Sequence, residues 1–331
     1  MVVIKKVIFG TGRFAEAVLQ QIGSSAIYAF LDNDEQKHGE LFHNVKVYTP
    51  QQFTDQSDLE KYPIFIASSY YEDISKQLVS MGLIEGVHFF DGAALLSSEQ
   101  LRGVLGISPD IEDEFIELYV KVKNYSMTSI ERLYSLYQAV KYVVANDIRG
   151  DFVECGVWRG GSAMIIAETL RVLGVQDRHI YLYDTFEGMS QPSDIDIDFS
   201  GKTAEEEWSQ SQTDSVNLWC YASLEDVQQN LQSTGYPIGN IHFVKGKVEE
   251  TLLRTMPEQI SLLRLDTDWY ESTYHELENL YPLLSVNGVL IIDDYGFWQG
   301  ARKAVNDYFL QHQVKILLNK IDFSGRLGIK N

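Results

Sequence analysis

The sequence predicts an α/β protein made of two doubly wound, Rossmann-like domains, and three observations predict it. Strand-like apolar runs alternate with amphipathic helical runs over residues 1–105 and again from Asp151 onward, the pattern of parallel sheets joined by crossover helices. Two of these runs open into glycine-rich turns that lead into helices, GTGRFA (Gly10–Ala15) and CGVWRGGS (Cys155–Ser162). Two later runs, LLRLDTDWYEST (Leu262–Thr273) and GVLIIDDYG (Gly288–Gly296), stop abruptly in aspartates. Strands that end together in carboxylates set them at one edge of a sheet, the edge where open α/β sheets bind ligands.

In order along the chain, the opening MVVIKKVIFG reads as a first strand, FAEAVLQQI as a helix and AIYAFLDND as a strand ending in acid. PIFIASS, YEDISKQLVSMG and HFFDG follow as strand, helix and short strand. From Ser108 to Asn146 the pattern is helical. Leu133, Leu136, Tyr137, Val140, Val143 and Val144 share one face at helical spacing. Thr128 followed by Glu131 reads as a capping box, which starts that helix near Thr128. The block is expected to form a helical cover on the second sheet. DFVECG, HIYLYDTFEG, IHFVKGKVEE, ISLLRLDTD and GVLIIDDYG read as the strands of that sheet, with VKILLNK and GRLGIK as a closing hairpin. Between them, Met189 to Tyr236 is a polar, acidic insertion. A stretch this long between two strands reads as a lid or binding loop, and its Trp208, Trp219 and Tyr221 are costly to leave in water. The expected domains are 1–105 and 106–331.

The bulk composition narrows the function. A hydrophobic content of 45% belongs to a globular chain, not a disordered one. The net charge of −20, from 47 acidic and 27 basic residues, repels nucleic-acid backbones and anionic membranes. The two cysteines, Cys155 and Cys220, form no C-x-x-C pair, as in reduced cytoplasmic proteins. No charged-then-apolar leader opens the chain and no run is long enough to span a membrane, so a cytoplasmic location is expected.

The second glycine turn carries the chemistry. Glycines let a turn approach a ligand, and the start of the following helix presents free N–H groups. Glu154 stands just before Gly156, and Gly160 and Ser162 complete the turn. Asp184 closes the next strand, where an acid suits the two hydroxyls of a ribose. An acid beside a glycine turn plus a ribose acid is the layout of S-adenosylmethionine sites more than of NAD sites. Asp266, Asp268, Asp293 and Asp294 would repel one another at one sheet edge, so a cation is their natural companion. On an extended backbone Asp266 and Asp268, two apart, point the same way. An all-oxygen set suits Mg²⁺, Mn²⁺ or Ca²⁺ over zinc. The seven histidines form no metal-type spacing, and only His275 lies near the aspartates in sequence. The first glycine turn fits G-x-G-x-x-A, with Asp32 closing the next strand. Read alone, it is a dinucleotide or sugar-nucleotide site; the alternative is a docking or dimer surface.

MTSIERLYSLYQAV, GDFVECGVWRGGS, LYDTFEGM, DFSGK, IHFVKGKVEETL, LDTDWYEST, GVLIIDDYG and WQGARKAV resemble the macrocin O-methyltransferase family of the TylF type, over Ser126 to Lys330. The resemblance implies a class I methyltransferase fold and methylation of sugar hydroxyls on natural products, with S-adenosylmethionine and a divalent cation. It places the metal ligands on Asp266, Asp293 and Asp294 and a general base on Asp268. Glu154, Gly156, Gly160, Ser162 and Asp184 fall in its methyl-donor site. The N-terminal domain is additional to the family pattern. The expected acceptor is a small molecule, a sugar hydroxyl first and a catechol next, and a homo-oligomer is expected. The alternative is a nucleotide- or sugar-nucleotide-dependent enzyme centred on the N-terminal domain.

Overall fold

The computed structural model describes residues 4–56 and 61–331 and divides into two compact units, Met1–Val120 and Lys121–Asn331. The first contains β1 (Lys6–Phe9), α1 (Arg13–Ile22), β2 (Ile27–Leu31), β3 (Leu41–Phe42), β4 (Val45–Tyr48), α2 (Pro50–Gln56), β5 (Ile64–Ile66), α3 (Tyr71–Ser80), β6 (Phe89–Asp91) and α4 (Ser98–Leu105), and α5 (Asp113–Val122) runs across the division. Residues 1–3 of the expected first strand lie outside the described residues. The sheet order is β3-β4-β2-β1-β5-β6, parallel throughout except for the β3–β4 pair. Val7, Phe9, Ala29, Leu31, Ile64, Ile66 and Phe89 from its strands meet Ile74 and Leu78 of α3 in one core.

The second unit contains α6 (Ile130–Ala145), β7 (Asp151–Cys155), α7 (Gly161–Val172), β8 (Ile180–Asp184), α8 (Ala204–Gln210), α9 (Leu224–Ser233), β9 (Ile241–Lys245), α10 (Val248–Thr251), β10 (Ile260–Leu265), α11 (Tyr270–Leu280), β11 (Leu284–Ile292), α12 (Gln299–Gln311), β12 (Asn319–Lys320) and β13 (Arg326–Ile329). Its sheet order is β12-β13-β11-β10-β7-β8-β9. β9, β8, β7, β10 and β11 are parallel, and the β12–β13 hairpin adds antiparallel at the β11 side. The chain runs outward from β7 to β8 and β9, then returns to β10 on the other side of β7. The strand order therefore reverses between β7 and β10, and the crevice beyond their C-terminal ends is the topological switch point. Every residue of β10 is buried, because helices cover both faces of a parallel sheet. Each fully buried leucine there contributes roughly 1.5–3 kcal/mol.

α6 buries Leu133, Leu136, Tyr137, Val140 and Val143, with Val144 only half-buried. Its cap differs from the expected one. Ser129, not Thr128, accepts the Arg132 N–H at 3.2 Å, and the Thr128 hydroxyl turns to Asp293 instead, at 3.4 Å. The insertion folds back on the unit: the Trp208 indole donates to Met189 O at 2.9 Å, and Trp219 packs on Trp269 and Trp298. Glu205, Glu206 and Glu207 form an exposed face of α8. Among the described residues, no helix is long and apolar enough to cross a membrane, and both cysteines are free.

Candidate active site

Register brings the site together. Leu265 pairs with Cys155 on one side and Ile292 on the other. Beyond those ends, the Asp266 N–H donates to Cys155 O at 2.8 Å and the Asp293 N–H to Leu265 O at 2.9 Å. Gly156, Asp266 and Asp293 are therefore neighbours on three adjacent strand ends. One oxygen from each of Asp266, Asp293 and Asp294 lies within 4.8 Å of the others.

Asp268 reaches the same place by another route. β10 ends at Leu265, so the alternation that was to align Asp266 with Asp268 has already stopped. Asp268 has φ +67°, a left-handed conformation that aspartate tolerates better than most residues. Its carboxylate faces the Asp294 carboxyl and the Trp298 indole. Burial, then the neighbouring Asp266 charge, pushes the Asp268 carboxyl up to about 8. Burial raises Asp266 and Asp294 well above the usual carboxylate range, and their mutual crowding with Asp293 and Asp268 adds to it. Asp294 Oδ2 is buried and has no hydrogen-bond partner.

Two arginines hold the charge. Arg264, 3% exposed, pairs with Glu154 at 2.5 Å, Asp266 at 2.7 Å and Asp293 at 2.7 Å. It stands opposite Glu154 in the β7–β10 register. Arg132, on the first turn of α6, pairs with the other oxygen of Asp293 and lies 3.0 Å from Asp322. An unpaired charge this deep costs several kcal/mol, so the arginines and the acids require one another. Glu154 is 1% exposed, and burial pushes it up to about 7 although Arg264 opposes the shift. Glu154 Oε2 has no partner.

The glycine turn is braced from below. Gly156 has φ +82°, and its α-carbon faces the Asp266 carbonyl with no space for a side chain. Asp184 accepts hydrogen bonds from the backbone N–H groups of Val157 (2.7 Å), Trp158 (3.2 Å) and Phe186 (2.7 Å). Burial still raises its carboxyl above the ordinary value against those three donors. Gly160 is the N-cap of α7 with φ +88°.

Gly156, Ser162, Asp184, Asp266, Asp268, Asp293 and Asp294 line one cavity of about 450 Å³, together with Arg132, Arg264, Thr128, Trp158, Trp219, Phe297 and Trp298. This volume is in the range of small-molecule sites. Met189, Lys202, Thr203 and Cys220 show that the insertion supplies part of its wall. Glu154 and Gly160 stand behind that wall rather than on it, and His275 lies off the cavity. Arg159 turns away to Asp226 at 2.9 Å. Sequence reasoning missed Arg264, Arg132, Thr128 and Trp298. One signal was available: an arginine inside LLRLD is costly unless paired, so the neighbouring strands had to supply carboxylates.

A mostly parallel seven-stranded sheet with a braced glycine turn at its switch point is the architecture of the class I S-adenosylmethionine-dependent methyltransferases. Residues 120–327 match the family described as Macrocin-O-methyltransferase (TylF). That match covers more than half of the chain, and the chain belongs to this family of O-methyltransferases. Residues 3–86 match a second family, described as C2185-like, N-terminal. Demethyldecarbamoylnovobiocin O-methyltransferase of Streptomyces niveus is 32% identical over 201 residues, 61% of this chain and 74% of that protein. The 8-demethyl-8-(2,3-dimethoxy-alpha-L-rhamnosyl)-tetracenomycin-C 4'-O-methyltransferase of Streptomyces olivaceus is 33% identical with the same coverage. The structure of the O-methyltransferase NovP superposes with a TM-score of 0.54 at 28% identity, covering 71% of this chain and 96% of that one.

Proposed function

We propose that the second unit methylates a sugar hydroxyl of a small glycosylated molecule, with a divalent cation held by Asp266, Asp293 and Asp294. The observation that carries this reading is the cluster of three carboxylate oxygens within 4.8 Å beside the braced glycine turn. The cluster fits a hard cation: all its donors are oxygens, and Asp294 Oδ2 is buried without a partner. When bound, the cation would act as a Lewis acid on an acceptor oxygen. The rhamnosyl group in the name of one relative favours a sugar acceptor over a catechol.

In this reading the residues divide the work. Asp268 accepts the acceptor's proton on its carboxylate, beside the Trp298 indole on the same cavity wall. The charged Asp268 carboxylate that general-base work needs would be favoured by a cation on the neighbouring acids. Arg264 and Arg132 share Asp293 and oppose the rise that burial imposes on Asp266. Gly156 and Ser162 give the donor room and N–H groups, and Asp184 fixes the turn and faces the ribose. Glu154 supports the donor site from behind through its free Oε2. Aligning donor and acceptor in one cavity supplies much of the acceleration. The cleft excludes water with the aromatic wall of the insertion.

Calorimetry with S-adenosylhomocysteine tests the donor half: heat with this ligand and none with NAD is expected. Thermal melting with Mg²⁺ tests the other half. Asp268 and Glu154 sit at about 8 and about 7, above their ordinary values of 3.8 and 4.5. Raised folded-state pKa values cost stability as pH rises from the ordinary to the folded value. Asp266 and Asp294 are held well above the usual carboxylate range, so a cation on them must displace protons and binds more tightly as pH rises. Mg²⁺ should therefore raise Tm more at pH 8 than at pH 5, and no rise at either pH would remove the cation from the proposal.

A further inference from the structure

Three phenylalanines from three distant segments meet at the rim of the cavity. Phe297 lines the cavity itself. Phe199, from the insertion, is 56% exposed, and Phe323, from the β12–β13 turn, is 55% exposed. The Phe199 ring lies 5.3 Å from that of Phe297 and 5.0 Å from that of Phe323, edge to face in both cases. Single exposed apolar residues are ordinary, but a contiguous exposed apolar patch marks a binding surface.

The patch is also built rigidly onto the carboxylate cluster. Asp198 bridges Trp298 in antiparallel fashion, and the Gln299 N–H donates to Ile197 O at 2.8 Å. Gly296 packs against the Phe323 carbonyl with no space for a side chain, and its N–H donates to Ser324 O at 2.9 Å. Ser324 Oγ donates to Asp293 O at 2.7 Å, and the Phe297 N–H to Asp294 O at 3.1 Å. The segments that carry the rings are thus bonded to the backbone that carries Asp293 and Asp294.

We propose that Phe199, Phe297 and Phe323 form a subsite for a flat apolar or aromatic group attached to the sugar whose hydroxyl is methylated. This rests on the sugar O-methylation reading of the same cavity. The rings offer dispersion and edge-to-face contact and no hydrogen bond, so their ligand is apolar. Its distance from Asp268 is set by the shared anchors, so the group would place the sugar as well as hold it.

The test compares methyl and 2-naphthyl α-L-rhamnopyranoside on the full chain with S-adenosylhomocysteine and Mg²⁺ present, by calorimetry for binding and then with S-adenosylmethionine for transfer. Two aromatic contacts predict tighter binding of the naphthyl glycoside by on the order of 10-fold. In the Phe199→Ala/Phe323→Ala double variant the preference should fall to about 2-fold or less, with affinity for S-adenosylhomocysteine unchanged. Both side chains are more than half exposed, so the variant is expected to fold. Equal affinity for the two glycosides in the wild type, failure of both to bind, or a preference that survives both substitutions overturns the subsite. If the naphthyl glycoside binds with the predicted preference and neither glycoside is methylated, the subsite stands and the sugar reading falls. Equal KM values with transfer to both leave the sugar reading standing and remove the subsite.

Discussion

Two glycine-rich turns, Gly10–Ala15 and Gly156–Ser162, each follow a strand, open a helix and face an aspartate that closes the next strand. In the first unit that aspartate, Asp32, is latched by the turn's own side chain: Thr11 Oγ1 donates to it at 2.5 Å, and Lys37 pairs with it at 3.2 Å. In the second unit Asp184 is latched by the turn's backbone, the N–H groups of Val157 and Trp158. The larger difference lies beside the turns. β5, next to β1, runs out into Ala67 and Ser68, whereas β10 and β11 run out into four aspartates. A glycine turn shows where a ligand can approach closely. The ends of the adjoining strands decide what chemistry can follow.

The comparison breaks most sharply at the acids. Asp268→Asn should lower kcat for methyl transfer by ~10²–10⁴-fold, the usual worth of a general base, while affinity for S-adenosylhomocysteine persists. Asp32→Asn should change the same rate by about 2-fold or less, because the first unit holds none of the carboxylates of the proposed site. Steady-state kinetics of the two variants decides it, and a large loss from Asp32→Asn would mean that the first unit contributes to transfer.

The ion pairs should differ next. Arg264→Met leaves three carboxylates without their shared cation, and removing one partner of a buried pair costs about 3–5 kcal/mol. Lys37, 42% exposed, forms a surface pair with Asp32, and Lys37→Met should cost no more than ~1 kcal/mol. Denaturant unfolding of both variants measures this. Near-equal losses would show that the network around Arg264 is solvated rather than buried.

The glycines are expected to separate least. Gly156 has a left-handed φ and no space for a side chain, whereas Gly12 has φ −93° and open space around its α-carbon. Gly156→Ala should cost more than ~1–2 kcal/mol from the backbone conformation alone and weaken donor binding as the turn shifts. Gly12→Ala, at a helix N-cap, should cost about 1 kcal/mol or less. Thermal melts with and without S-adenosylhomocysteine would detect both effects.

By itself the sequence determined the features that local pattern can carry. Alternation of strand and helix, apolar runs ending in Asp266 and Asp293, and the glycines before Ser162 are periodicities and breaks within one short segment. Those features announce an α/β fold, and the family motifs between Ser126 and Lys330 announce the methyltransferase. Tertiary structure alone decided which groups answer one another across the chain. Arg264 interrupts an apolar strand, and register sets it opposite Glu154 and beside Asp293. Arg132 lies on the first turn of α6, which carries it to the same aspartate, and that aspartate also draws Thr128 away from the expected cap. Asp268 joined the cluster through a left-handed turn and Trp298, not through strand alternation. A buried charge is stable only beside its partner, and partners more than a hundred residues apart, such as Glu154 and Arg264, are chosen by strand register and helix docking, which no local window of sequence contains.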